Sequence, residues 1–242
     1  MDGDAANPIV NLHGCQFAMI IKKPVFHLTL LLAFTLVLAS CVNRAQPKLG
    51  YYSAPLIKDN KPSLWLSDHP RVRRFRSHYL RTRTVSDALR RARKFLPTIA
   101  GEFQRRNLPM ELAYLPMVES LFKNRADSGN AKGMWQFTPQ TARNMGLRVG
   151  FMVDERLNWR KATAAAADYL DQLGARFNYN WALALAAYNG GPNYVDGEMR
   201  RQRSWNFWNL RLRQETAEYV PRFIAMLQVA KEKYAHMMVA SR

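Results

Sequence analysis

The sequence predicts a nearly all-helical domain behind an irregular stretch and an apolar leader. Three observations predict it. Apolar residues recur at three- and four-residue spacings from about His69 to His236; Gly, Pro or Asn punctuates most gaps between these runs; and no segment shows the sustained alternation of Val, Ile and Thr that a sheet needs. With 242 residues and 48% hydrophobic content the chain can bury an ordinary core, and beyond the leader it suits one domain better than two.

From Met19 the chain carries Lys22 and Lys23, an apolar run from Val25 to Leu38, and then Ala39-Ser40-Cys41, the charged, hydrophobic and small-residue parts of a secretory signal. His27 and Thr29 interrupt the run, which is short for a bilayer span of about 20 residues. Residues 19–40 resemble a lipoprotein signal, which implies cleavage before Cys41 and lipidation of its sulfur. Residues 1–18 fit none of these parts, because Asp2 and Asp4 stand where a signal is basic, and Met19 is an alternative start. Without Cys15, and with Cys41 acylated, no thiol pair remains for a disulfide. Pro47, Gly50, Pro55 and Pro62, with no helical periodicity around them, make residues 41–68 the expected tether.

Residues 69–107 form the expected basic N-terminal part of the domain. Within Thr84–Arg106, Val85, Leu89, Phe95, Leu96, Ile99 and Phe103 make one face and Arg90, Arg91, Arg93, Lys94, Arg105 and Arg106 the other, with a kink expected at Pro97. The basic face is read as solvated surface. Further helices are expected over 110–121, 139–145, 159–177, 181–189, 193–203 and 215–236. The net charge of +18 suits polyanionic surroundings, either nucleic acid, anionic lipid or the carboxylate-bearing peptides of a cell wall, and the export leader argues against nucleic acid. The dispersed His residues and absent Cys cluster offer no readable metal site, and no cofactor is expected.

Leu108, Leu112, Leu115 and Glu119 recur at spacings of four, three and four, which sets Glu119 on an apolar stripe. Burial there raises a carboxyl pKa and suits a general acid. Taken alone, this stretch fits at least as well a Glu at a helix end facing solvent. Three further motifs follow it: Ala126-Asp127-Ser128 with Gly133-Met134-Trp135-Gln136-Phe137-Thr138-Pro139, then Ala187-Tyr188-Asn189-Gly190-Gly191, then Glu215-Thr216-Ala217-Glu218-Tyr219-Val220-Pro221.

In their order and spacing, from about Leu108 to Phe223, these motifs resemble the lytic murein transglycosylase family, most of all its membrane-bound D type. The resemblance implies an all-α, lysozyme-like fold of the goose type, with a catalytic core over 108–238. It also implies Glu119 as the catalytic acid and base, and Ser128, Gln136, Phe137, Tyr188, Asn189 and Glu215 as substrate-binding residues. Tyr188 is expected to donate to the substrate or to Glu119, whereas Trp135 and Tyr219 are assigned to packing. Between Ser128 and Gly133 the family usually has one residue more.

The reaction implied is cleavage of the MurNAc–GlcNAc β-1,4 bond of peptidoglycan to 1,6-anhydroMurNAc ends. A lysozyme-like muramidase hydrolase on the same fold would need a second carboxylate, with Asp127 and Glu215 as candidates. A non-catalytic peptidoglycan-binding lipoprotein is the remaining alternative. The expected partners are glycan strands and, through the lipid on Cys41, a membrane. Val42 rather than Asp after Cys41 points to the periplasmic face of the outer membrane.

Overall fold

A computed structural model of the protein describes residues 63–238. Residues 1–18, the leader, Cys41 and most of the expected tether lie outside them.

Pro70 opens helix α1 (Pro70–Leu80), where its missing N–H removes no helical bond, and the His69 ring accepts from Arg71 N–H at 3.2 Å as the cap. The expected run over 84–106 is two helices rather than one kinked helix, α2 (Thr84–Ala92) and α3 (Leu96–Arg105). Pro97 is the reason: it fits the first turn of a helix but not its interior, so the chain stops and restarts.

The helix expected over 110–121 is likewise replaced, by a 3₁₀ turn (Met110–Tyr114) and the short α4 (Pro116–Glu119). Pro116 cannot donate to the preceding turn and so begins a new helix. Leu108, Leu112 and Leu115 are nevertheless all buried.

Helix α5 (Pro139–Asn144) is capped by Thr138, α6 (Trp159–Arg176) by Asn158, and α7 (Trp181–Gly190) by Asn180, each side chain accepting from a first-turn N–H. Then come α8 (Pro192–Gln202) and α9 (Gln214–Lys233). Among the described residues there are only isolated bridges and no sheet, so the expected all-helical architecture is borne out.

Two helices organise the packing. Every residue of α7 from Trp181 to Ala187 is buried, and its many alanines let α6, α8 and α9 approach closely. Helix α9 lies against α1, α4 and α7. Pro221 inside α9 cannot bond the carbonyl of Ala217, and Arg71 of α1 donates to that carbonyl at 3.3 Å and to Trp208 O at 2.9 Å. An interior proline is thereby tolerated, because its orphaned acceptor finds a charged donor.

The domain also begins earlier than the helical pattern suggests. Ser63–Leu66 form a 3₁₀ turn, and Trp65 is buried edge-on against Phe223 at 5.8 Å. Gln228 donates to the carbonyls of Trp65 and Ser67 at 3.2 and 3.0 Å. The last part of the stretch read as tether is therefore core, fixed by an aromatic side chain whose burial outweighs the lack of local periodicity.

Phe103 stacks on the fully buried Trp135 at 5.8 Å, and Trp135 Nε1 donates to Thr163 at 3.0 Å. Beside them Gly133 (φ 82°) runs so close to α6's approach that a Cβ would sit 2.0 Å from Arg156 O. We predict that Gly133→Ala lowers unfolding free energy by roughly 3 kcal/mol, because backbone must move. Gly129→Ala, at φ 83° with open space around it, should cost only the left-handed strain of about 1–2 kcal/mol. Urea denaturation midpoints check the pair, and equal losses would refute the close-approach explanation.

Candidate active site

Glu119 ends α4, and backbone constraints bracket it on both sides. Pro116 starts the helix, and Leu121 (φ 54°) and Phe122 (φ 57°) follow in the left-handed region, where non-glycine residues cost about 1–3 kcal/mol each. The strain is held by burial of Phe122, by N–H bonds from Ser120 and Phe122 to Pro116 O at 3.1 and 3.0 Å, and by Arg91 donating to Leu121 O at 2.7 Å. Arg91 is thus drawn off the basic face into a structural bond. The buried Ser120 hydroxyl donates to Met134 O at 2.8 Å, tying the end of α4 to the loop around Gly133.

Burial pushes the Glu119 carboxyl up to about 8; the Tyr219 hydroxyl, donating to Oε1, opposes that shift, and the charge of Glu215 adds to it. Glu119 as a residue is half-buried, at the end of its helix. Tyr219 lies on α9 and is buried; burial, the nearby Glu119 carboxylate and Tyr188 keep its hydroxyl protonated well above the ordinary range. Tyr219 therefore does more than pack, contrary to expectation. The spacing that reveals it is in the sequence: Glu215 and Tyr219 stand four apart on one helix and share a face.

Tyr188, at the end of α7, donates to Trp135 O at 2.9 Å and not to Glu119. Its phenol is also held well above the usual range, first by burial, then by the charge of Glu119 and the neighbouring Tyr169. The Tyr188 and Tyr169 rings lie 5.4 Å apart. Phe137, expected to touch substrate, is buried at 2% exposure beside these two rings, both 6.3 Å away. Its ring lies tilted against that of Tyr188.

The other expected contacts divide between loop and helix ends. Gln136 (φ 48°) uses its side-chain amide on Gly133 O at 2.8 Å, shaping the loop. Exposed Ser128 donates to Ala131 O at 3.2 Å. Asp127 accepts from Gly129 N–H at 2.8 Å and pairs with Lys132 at 3.0 Å; these bonds hold its carboxyl below the usual range, which unsuits it as an acid. Asn189 donates to exposed Glu215 at 3.4 Å, joining the end of α7 to the start of α9. Gly190 permits that junction, since a Cβ there would meet Thr216 Oγ1 at 2.7 Å. Glu119, Tyr188, Tyr219 and Glu215 are thus brought into one electrostatic group, while Ser128 and Gln136 are engaged within their own loop.

Residues 97–210 match the family described as Transglycosylase SLT domain. The chain is 38% identical over 172 residues to membrane-bound lytic murein transglycosylase D of Escherichia coli K12, a match covering 69% of this chain and 38% of that protein. It is also 38% identical over 106 residues to a putative tributyltin chloride resistance protein of Alteromonas sp. strain M-1, covering 43% of this chain and 51% of the relative. A crystal structure of an inactive mutant of lytic transglycosylase Slt from Pseudomonas aeruginosa aligns with a TM-score of 0.44 at 25% identity, over 57% of this chain and 24% of the other. The chain spans little more than a third of the length of the transglycosylase D it matches. Residues 97–210 of the chain are thus a lytic transglycosylase SLT domain.

Proposed function

We propose that this protein is a peptidoglycan lytic transglycosylase in which Glu119 serves first as acid and then as base. The observation that carries this reading is the Glu119 carboxyl itself, protonated at neutral pH by burial and facing the phenol of Tyr219. The proton of Glu119 passes to the oxygen linking MurNAc to GlcNAc as the bond from C1 breaks, and the 2-acetamido group stabilises the cationic anomeric carbon. The Glu119 carboxylate then takes the proton of the sugar's C6 hydroxyl, whose oxygen closes on C1 to give the 1,6-anhydro end without consuming water.

Tyr219 supplies the second requirement of a single-residue cycle. Its hydroxyl favours the anion, so Glu119 is not trapped in the acid form once the first proton has left. Glu215, whose charge raises the Glu119 pKa, would be the water-activating base of a hydrolase on this fold. Mass spectrometry of digested sacculi separates the readings: anhydro ends support transglycosylation, and reducing ends support hydrolysis.

Residues 19–41 support a lipid-anchored protein at the periplasmic face of the outer membrane, with Cys41 the acylated residue. The relative described as membrane-bound agrees with an envelope location. Cys41→Ala should abolish incorporation of labelled palmitate; persistent label on the variant would remove the anchor from this account.

Glu119→Gln keeps the shape and removes the proton, so it should reduce anhydromuropeptide release by at least roughly 10²–10⁴-fold while sparing sacculus binding. Asp127→Asn, which breaks only an exposed ion pair, should be nearly silent. Activity of the first and inactivity of the second would mean that the wrong acid has been named.

The pH dependence follows from the sign of the shift. Below a pKa of about 8 Glu119 carries its proton, so kcat/KM should hold through neutrality and fall as pH rises through that value. Tyr219→Phe removes a donor to the anion, which must raise the Glu119 pKa, so its alkaline limb should move to higher pH as turnover falls. An unmoved limb would separate Tyr219 from the titration of Glu119.

A further inference from the structure

A cavity of about 340 Å³ is lined by Lys94, Phe95, Asn124, Trp159 and Arg160, none of which the proposed reaction uses. Two of these side chains are aromatic and two are cationic. The Phe95 and Trp159 rings meet at 5.1 Å; Lys94 Nζ lies 4.8 Å from the Phe95 centroid and Arg160 Cζ 4.3 Å from that of Trp159. These contacts steady two long side chains at the cost of little of their charge.

Among the described residues neither Lys94 nor Arg160 has a carboxylate within ion-pair distance, unlike Arg90, Arg106 or Arg148, which all do. Exposed Arg93, Lys123 and Arg125, adjacent in sequence to the lining residues, lack such a partner too. Trp159 and Arg160 are the first residues of α6, an 18-residue helix whose positive end adds to the same potential. Asn124 is anchored by donating to Leu157 O at 3.1 Å, yet its buried Oδ1 has no donor among the described residues.

We propose that this cavity binds a free carboxylate of a short acidic peptide, the stem carried by a glycan strand, an inference that rests on the peptidoglycan reading. The two cations take the carboxylate, the rings take the methylenes next to it, and Asn124 offers an acceptor for a peptide N–H. A phosphate headgroup would use the cations alone, leaving the rings and the acceptor unmatched.

Calorimetric titration with N-acetylmuramoyl-L-alanyl-D-isoglutamine, and separately with glycerol phosphate, tests the ligand directly. The peptide should bind the wild type more tightly than glycerol phosphate does. Lys94→Gln combined with Arg160→Gln, both on exposed side chains, should weaken peptide binding by roughly tenfold. The same double variant should raise KM for peptide-bearing strands with kcat unchanged, and leave strands stripped of peptide by an amidase unaffected. Equal peptide affinity in wild type and variant, no saturable binding, or tighter binding of glycerol phosphate would overturn the proposal. Peptide binding that depends on Lys94 and Arg160, in a protein releasing no anhydro ends, would instead retain this site and remove the reaction.

Discussion

The arrangement of the domain depends on keeping one carboxyl, that of Glu119, out of water. Desolvation of Glu119 favours its protonated form, and the proposed use of this group as acid and then base requires something to stabilise the anion. The Tyr219 hydroxyl does this, from a different helix and 100 residues away in the chain. Their meeting joins α4 to α9, so the packing that holds the core together also sets the titration of Glu119.

Several costs elsewhere become intelligible from that constraint. The left-handed pair Leu121 and Phe122 ends α4 immediately after Glu119, and Phe122 burial together with the Arg91 bond sustains it. Pro221 interrupts the ladder of α9 only two residues beyond Tyr219, and Arg71 satisfies the carbonyl left open. The alanine-rich α7 brings Tyr188 close enough for its phenol to sense the Glu119 charge. Each local departure from regular helix is matched by a specific donor or a buried ring.

Charge has two roles in this molecule. Buried or half-buried ions are satisfied internally, as where Glu155 accepts from both Arg148 and Lys161, or where Arg156 pairs with Asp154. Cations such as Arg93, Lys123 and Arg125 stay exposed, and under the proposed function a wall bearing many carboxylates would concentrate the protein without a dedicated interface. Around Lys94 and Arg160 that general attraction meets a cavity that Phe95 and Trp159 also line, and a diffuse field acquires a shape.

Periodicity by itself determined the helical class, the places of α6 to α9, and the apolar stripe of Leu108, Leu112 and Leu115, because burial repeats with the pitch of a helix. The order of four motifs singled out Glu119 as the proposed acid, a choice its own stretch left open. Only tertiary structure decided that Pro97 and Pro116 divide helices, since whether a proline kinks or restarts one depends on what its neighbours bury. It also decided that Trp65 belongs to the core, that Phe137 is buried beside Tyr188, and that Tyr219 rather than Tyr188 donates to Glu119. Those outcomes are contacts between residues far apart in the chain, and local sequence pattern carries the face a side chain occupies but not the partner that packing brings to it.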